Sequence, residues 1–205
     1  MPLRIIARQL SRPSGLLGKL VAFLMNRRNK DMNAFAAGQL DVEPTDRVLE
    51  VGFGGGVTLR YLIENSGFVA GVDRSRDVVL RAKSKFSREM AAGRAAFHEC
   101  SVVSLPFDES SFDKALTVNT VYFLESLEAS FREIHRVLTP GGTLAVGFLP
   151  KEWMDHMRMP ADIFASRTAD EVVSAITQSG FYAVQKKKPC PESAWLVVIA
   201  NKKEN

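Results

Sequence analysis

The residues of this chain best able to do chemistry are a cluster of glycines and the carboxylates on either side of it. Val48-Leu49-Glu50-Val51-Gly52-Phe53-Gly54-Gly55-Gly56 is an apolar run that ends in glycines, and Val69-Ala70-Gly71-Val72-Asp73 is a second apolar run that ends in an acid. The first reads as a buried strand entering a tight turn, where missing Cβ atoms let the amides of the next helix approach a ligand closely. Asp73 stands 21 positions after Gly52, where a carboxylate at the end of the next strand can bind both hydroxyls of a ribose. Together they describe a nucleoside-binding crevice. A dinucleotide fingerprint would need one more glycine, three positions after its second, for close strand–helix packing around a pyrophosphate. That position is Val57.

The pattern Glu50-x-Gly52-x-Gly54-x-Gly56 resembles instead the acid-x-Gly-x-Gly-x-Gly loop of the class I (Rossmann-like) S-adenosylmethionine (SAM)-dependent methyltransferases, whose cofactor carries no phosphate. Leu105-Pro106-Phe107-Asp108 with Ser111-Phe112-Asp113, then Asn119-Thr120-Val121-Tyr122-Phe123, then Glu133-Ile134-x-Arg136-Val137-Leu138-x-Pro140-Gly141-Gly142 resemble later motifs of that family, in order, over about residues 47 to 149. The likeness is to the broad group containing small-molecule quinone and lipid methyltransferases. It implies that Gly52, Phe53 and Gly54 pass beside the methionine portion of the cofactor. Glu50 would anchor the loop or the ammonium, Asp73 with the adjoining Arg74 would take the ribose, and Asn119 would bond the methionine portion. Cys100-Ser101-Val102 stands where similar enzymes carry Gly-Asp-Ala, whose aspartate receives the adenine amino group. Ser101 can still accept one hydrogen bond and the Val102 amide can serve the adenine ring. A charge-assisted bond is about twice as strong as a neutral one, so adenine binding is expected to be weaker or differently completed.

Methyl transfer is an in-line displacement from a sulfonium, and the main task is to hold a nucleophile on the methyl axis in a dry pocket. Positioning supplies about 7–11 kcal/mol, whereas general-base help corresponds to only about 3–5 kcal/mol, so a missing base is no objection. By resemblance Tyr122, shortly after the fourth strand, is the candidate catalytic residue. It could orient a nucleophile, or place its ring near the sulfonium for about 0.5–2 kcal/mol; the plainer reading is packing beneath a cap. Of the three histidines, His135 falls within a helix and His98 within a strand, which leaves His156 as the one placed to reach the site.

These residues need elements to position them. Strands are expected at Arg47 to Gly52, Phe68 to Asp73, Ala95 to Cys100, Lys114 to Asn119 and Thr143 to Leu149, alternating with helices that carry Leu59, Leu62 and Ile63, then Val78, Val79, Ala82, Phe86 and Met90, then Leu127, Phe131, Ile134 and Leu138. Pro140-Gly141-Gly142 is expected to stop the last of these. Thr168 with Glu171 forms a capping box for a final helix ending near Gly180, followed by strands Phe181 to Pro189 and Ala194 to Asn201. The alternation predicts an α/β fold, a doubly wound, mostly parallel sheet with helices on both faces and its crevice at the carboxyl ends of the strands. The resemblance adds an antiparallel last strand, for seven in all.

Before Asp31, the first acid, stand Arg4, Arg8, Arg12, Lys19, Arg27, Arg28 and Lys30; the rest of the chain is mildly acidic. Leu17, Leu20, Val21 and Leu24 predict a helix from about Leu16 to Leu40, on another face of which Asn26, Asn29 and Asn33 align. That face is either a solvated one or an amide-bearing wall over the crevice. Residues 1–43 therefore read as a basic helical extension, and 44–205 as the methyltransferase domain with a short substrate cap at 150–167. Trp153, Met154, Met157, Met159, Pro160 and Phe164 make that cap an adaptable apolar surface. No apolar run reaches the roughly 18 residues that span a bilayer. Cys100 and Cys190 have no metal spacing and suit a reducing compartment, and the basic residues do not spread along the body as in nucleic-acid proteins. The expectation is a cytoplasmic SAM-dependent methyltransferase acting on a small, apolar acceptor, with no metal and no nucleic-acid partner. Its rivals are a peripheral enzyme whose basic N-terminal helix meets anionic membrane, and a non-catalytic SAM-binding or partner-binding domain. No sequence signal bears on oligomeric state.

Overall fold

Apolar runs buried on both faces can only pair within a sheet that helices cover on each side, and that is how this chain folds. A computed structural model describes residues 2–11, 14–15 and 29–204. Its strands β1 (Arg47–Val51), β2 (Phe68–Asp73), β3 (Ala95–Glu99), β4 (Phe112–Val118), β5 (Leu138–Phe148), β6 (Tyr182–Lys187) and β7 (Leu196–Asn201) form one seven-stranded sheet in the order β3-β2-β1-β4-β5-β7-β6. The first five are parallel, and β7 is antiparallel to both neighbours. The order reverses between β1 and β4, which opens the crevice at their carboxyl ends.

Strand periodicity sorts side chains to two faces. Val48 and Val69 meet α2 (Lys30–Gly38), α3 (Leu59–Asn65) and α4 (Arg76–Lys85) through Ala36, Leu40, Leu62 and Val79. Leu49, Val51 and Val72 share the other cluster with Phe131 and Ile134 of α6 (Leu127–Val137), Ile176 of α8 (Ala169–Gln178), and Ala7 of α1 (Pro2–Ser11). Each fully buried Leu, Ile, Val or Phe contributes about 1.5–3 kcal/mol.

The later motifs turn out to be fasteners. Glu133 accepts the Leu105 amide at 2.8 Å while pairing with Arg136, and Asp113 accepts the Arg47 amide at 2.8 Å. They lock the 105–113 segment to α6 and to β1.

Two expectations need correction, and a third is seen only in part. The helix stripe through Met90 is two helices, α4 and α5 (Ser87–Ala91), because Phe86 turns inward against Phe97 and leaves helical geometry. Pro140-Gly141-Gly142 does not separate α6 from β5: the helix ends at Val137, and these residues form a bulge within a longer strand. The bulge is held from the far end of the chain, since Gly141 donates to the Lys202 carbonyl and Lys202 donates to that of Gly142. The helix expected from Leu16 to Leu40 is seen as α2; Leu17, Leu20, Val21, Leu24 and Asn26 lie outside the described residues.

The capping box at Thr168 forms with both of its hydrogen bonds. Thr168→Ala is expected to destabilise the protein by about 1 kcal/mol, read as a lower urea midpoint with an unchanged slope. No helix among the described residues is long and apolar enough to cross a membrane.

Candidate functional site

A single cavity of about 500 Å³ opens at the carboxyl ends of β1, β2 and β4, and it runs from the glycine loop and Asp73 to the methionines of the 150–167 segment. Glu50, Gly52, Phe53, Gly54, Asp73 and Arg74 all line it, as do Ser101, Val102, Asn119 and Tyr122. These ten residues are therefore brought to one wall of it or another.

Gly52 has φ +69°, and a Cβ there would overlap the Cγ2 of Thr120, which is held through Thr117. Gly54 has φ +50°, and its Cβ would meet nothing nearer than 3.9 Å, so that bond points into the cavity. A non-glycine residue in the left-handed region costs about 1–3 kcal/mol. Gly52→Ala adds the clash to that strain. It is expected to lower the thermal midpoint and to weaken cofactor binding together, whereas a change in only one of them would separate the turn from the site.

The carboxylate of Asp73 is the hinge of the arrangement. Its Oδ2 accepts the Gly54 amide at 3.0 Å and its Oδ1 accepts the Ser75 amide at 2.8 Å. Burial pushes its pKa up, while those amides and the charges of Arg74 and Arg81 pull it down. Each oxygen keeps a lone pair for a ligand hydroxyl.

Glu50 is fully buried at the end of β1. Thr58 donates to its Oε1, and its Oε2 has no partner among the described residues. Desolvation pushes its pKa up to about 8, with the Asp73 charge adding to the rise and Thr58 opposing it. An orphaned buried carboxylate oxygen calls for a cationic or hydrogen-bonding ligand group.

Asn119 holds φ +58°, and its Oδ1 accepts the Tyr122 hydroxyl at 3.1 Å. That hydroxyl also lies 3.2 Å from the Leu149 carbonyl and accepts the Leu149 amide at 2.6 Å. Phe164 stacks on the ring at 5.6 Å. Tyr122 is thus committed to protein partners, and burial drives its pKa further up. The geometry fits packing beneath the cap; the hydroxyl is not placed as a base.

The 150–167 segment contains α7 (Lys151–Met154) and a 3₁₀ turn at Asp155–Met157. Met154, Met157, Met159 and Phe164 line the cavity; Trp153 and Pro160, expected with them, do not. His156 is exposed beside Trp153, while His98 packs edge-on against Phe107 and His135 against Phe181. None of the three histidines lines the cavity. Cys100 does, but burial, with the Asp73 charge, pushes its thiol up to about 11, which leaves it inert.

Asn29 and Asn33 stand on the wall, the second of the two readings open for that face, although the Asn33 amide already donates to the Asn29 carbonyl at 2.9 Å. The wall made by Gln9, Leu10 and Ser11 of α1, and by Trp195, was not foreseen. Pro2 at a first helical position and the Ile6/Leu10 spacing were the available signals for α1.

Residues 49–146 match a family described as a methyltransferase domain. Methyltransferase GfsG of Streptomyces halstedii is 29% identical over 68% of this chain and 46% of its own length. The 27-O-demethylrifamycin SV methyltransferase of Amycolatopsis mediterranei is 30% identical over 54% of this chain and 41% of its own length. The chain thus spans less than half the length of each of these two relatives. In three dimensions it superposes, with a TM-score of 0.74 and 20% identity, on a putative methyltransferase solved in complex with the Trm112 activator of Haloferax volcanii, covering 89% of this chain and 94% of that one.

Proposed function

We propose that this chain, whose residues 49–146 match a methyltransferase domain, is a class I SAM-dependent methyltransferase that transfers a methyl group to a small, apolar acceptor held between residues 150–167 and α1. The observation that carries this reading is the continuity of one cavity from Asp73 and Glu50 to Met154, Met157, Met159 and Phe164. A polar, hydroxyl- and ammonium-binding end thus opens directly onto a sulfur-rich and aromatic one.

The residues present fit SAM. The unpartnered Oε2 of Glu50 answers an ammonium, Asp73 answers ribose hydroxyls, and the open face of Gly54 leaves the room a side chain would take. Ser101, Val102, Arg74, Phe53 and Asn119 line the same cavity; Ser101 and the Val102 amide would flank the adenine, Arg74 the ribose, and Phe53 and Asn119 the methionine portion. SAM supplies, when bound, an electrophilic methyl on a sulfonium that leaves as a neutral thioether. The chain's own contribution is to bind, orient and exclude water. Met154, Met157 and Phe164 hold the acceptor against the methyl axis, and positioning of that kind is worth about 7–11 kcal/mol. Residues 150–167 act as the cap, pinned by the Lys151 amide on the Arg167 carbonyl and the Ala165 amide on that of Tyr122.

Tyr122 serves as a positioning residue. Its hydroxyl ties Asn119 to Leu149, just past the end of β5, across the cavity wall. Tyr122→Phe orphans the Leu149 amide and is expected to cost about 1–3 kcal/mol of stability. It should lower kcat while leaving the shape of the pH–rate profile unchanged; a lost basic or acidic limb would make the hydroxyl a proton carrier instead.

The direct test incubates a cell extract with methyl-labelled SAM and the purified protein, then searches by mass spectrometry for a labelled apolar product. Binding of SAM without a labelled product from any acceptor would favour the non-catalytic SAM-binding domain, a reading that the neutral Ser101 at the adenine position keeps open.

A further inference from the structure

We propose that the rim of the cavity is a membrane-docking face, which seats the protein on an anionic lipid surface with the cavity mouth turned toward the bilayer. The inference rests on the reading of the acceptor as small and apolar.

Among the described residues, four of the seven large exposed apolar side chains stand on the three segments that also line the cavity. Ile5 is 51% exposed and Ile6 41% on α1, Trp153 is 49% exposed on α7, and Val103 is 49% exposed in the loop after β3. The same segments present Leu10, Met154 and Val102 to the interior. Single exposed apolar residues are ordinary, but their collection around one opening marks an interaction surface. Tryptophan is favoured where an apolar phase meets a wet one.

Helix α1 is part of the folded body and not a trailing arm. Ala7 is fully buried against the cluster that contains Tyr122 and Phe164, and Arg4 reaches Asp162 of the cap at 2.5 Å. With that side sealed, Ile5, Ile6 and Arg8 face outward.

Charge selects the occupant. Seven Lys and Arg precede the first acid in the sequence, and the remainder of the chain carries more acid than base; on the described part of that stretch Arg8 is exposed on α1 beside Ile5 and Ile6. Residues 16–25, LLGKLVAFLM, continue the apolar and basic composition without an acid. Basic and apolar residues together suit an anionic bilayer, where each Lys or Arg near the surface adds about fivefold in affinity. An apolar acceptor partitions into that same phase.

The test is flotation of the purified chain with vesicles of phosphatidylcholine alone and of phosphatidylcholine mixed with phosphatidylglycerol. Binding is expected to the mixed vesicles at low salt and to fall about tenfold or more at high salt, as screening requires. Arg8→Ala should weaken it about fivefold, and Ile6→Asp with Trp153→Asp about tenfold or more. Both variants should bind SAM unchanged by calorimetry, since neither touches the cavity wall. Absence of binding to the mixed vesicles, equal binding by the Ile6/Trp153 variant, or a concentration-dependent dimer abolished by that variant would overturn the proposal. Wild-type protein that fails to bind SAM at all would overturn the methyltransferase reading itself, which the vesicle result alone does not touch.

Discussion

Asp73→Ala is expected to weaken SAM binding by about 10²- to 10⁴-fold, the largest effect of any single substitution at this site. Hydrogen bonds to a charged group contribute about 1.5–3 kcal/mol each, and two ribose hydroxyls would lose them together. The change also strips the Gly54 and Ser75 amides of their acceptor, which loosens the glycine loop and the start of α4. Asp73→Asn keeps one acceptor oxygen and so the partner of only one of the two amides: it should restore part of the thermal stability but little of the affinity. Calorimetric titration reads the first quantity and thermal unfolding the second. An unchanged titration for Asp73→Ala would remove the carboxylate from the site.

SAM affinity is expected to climb with pH until about 8, by up to about tenfold per unit. The carboxyl of Glu50 has its pKa raised from 4.5 to about 8, chiefly by desolvation, so near neutrality the ligand-free protein mostly carries the proton. An ammonium seated at Oε2 favours the ionised form, and binding must therefore release that proton. Calorimetry in buffers of different ionisation enthalpy measures the release. Glu50→Gln should abolish it and weaken binding, which separates the protein's proton from any on the ligand's own amine.

The same shift acts on stability with the opposite sense. A folded-state pKa above the unfolded value means that the native protein holds the proton more tightly. Glu50 thus contributes stability that is fully present below about 4.5 and is lost as pH rises through about 8. The midpoint of ligand-free wild type should fall across that window more steeply than that of Glu50→Gln, and saturating SAM should flatten the difference. Equal slopes would mean that water already reaches Glu50.

Not all of this was equally legible. Glu50, Gly52, Gly54 and Asp73 were readable because their roles follow from short-range rules: where a buried strand ends, which residue tolerates positive φ, which side chain caps the next helix. The capping box at Thr168 and the antiparallel β7 followed by the same kind of reasoning or by resemblance. Tyr122 lines the cavity, but its hydroxyl is held by Leu149, 27 residues away, which no local pattern shows. The Pro140-Gly141-Gly142 turn became a bulge because Lys202, at the other end of the chain, supplies its hydrogen bonds.

What the amino-acid sequence determined by itself was the alternation of strands and helices and the glycine-and-acid loop at the strand ends, since backbone sterics and side-chain periodicity act within a few residues. What only the tertiary structure decided was the cavity's other half: α1 and Trp195 as walls, histidines turned away, the committed Tyr122 hydroxyl and the stranded oxygen of Glu50. Burial and desolvation depend on which distant segments arrive to exclude water, and no local pattern encodes that arrival.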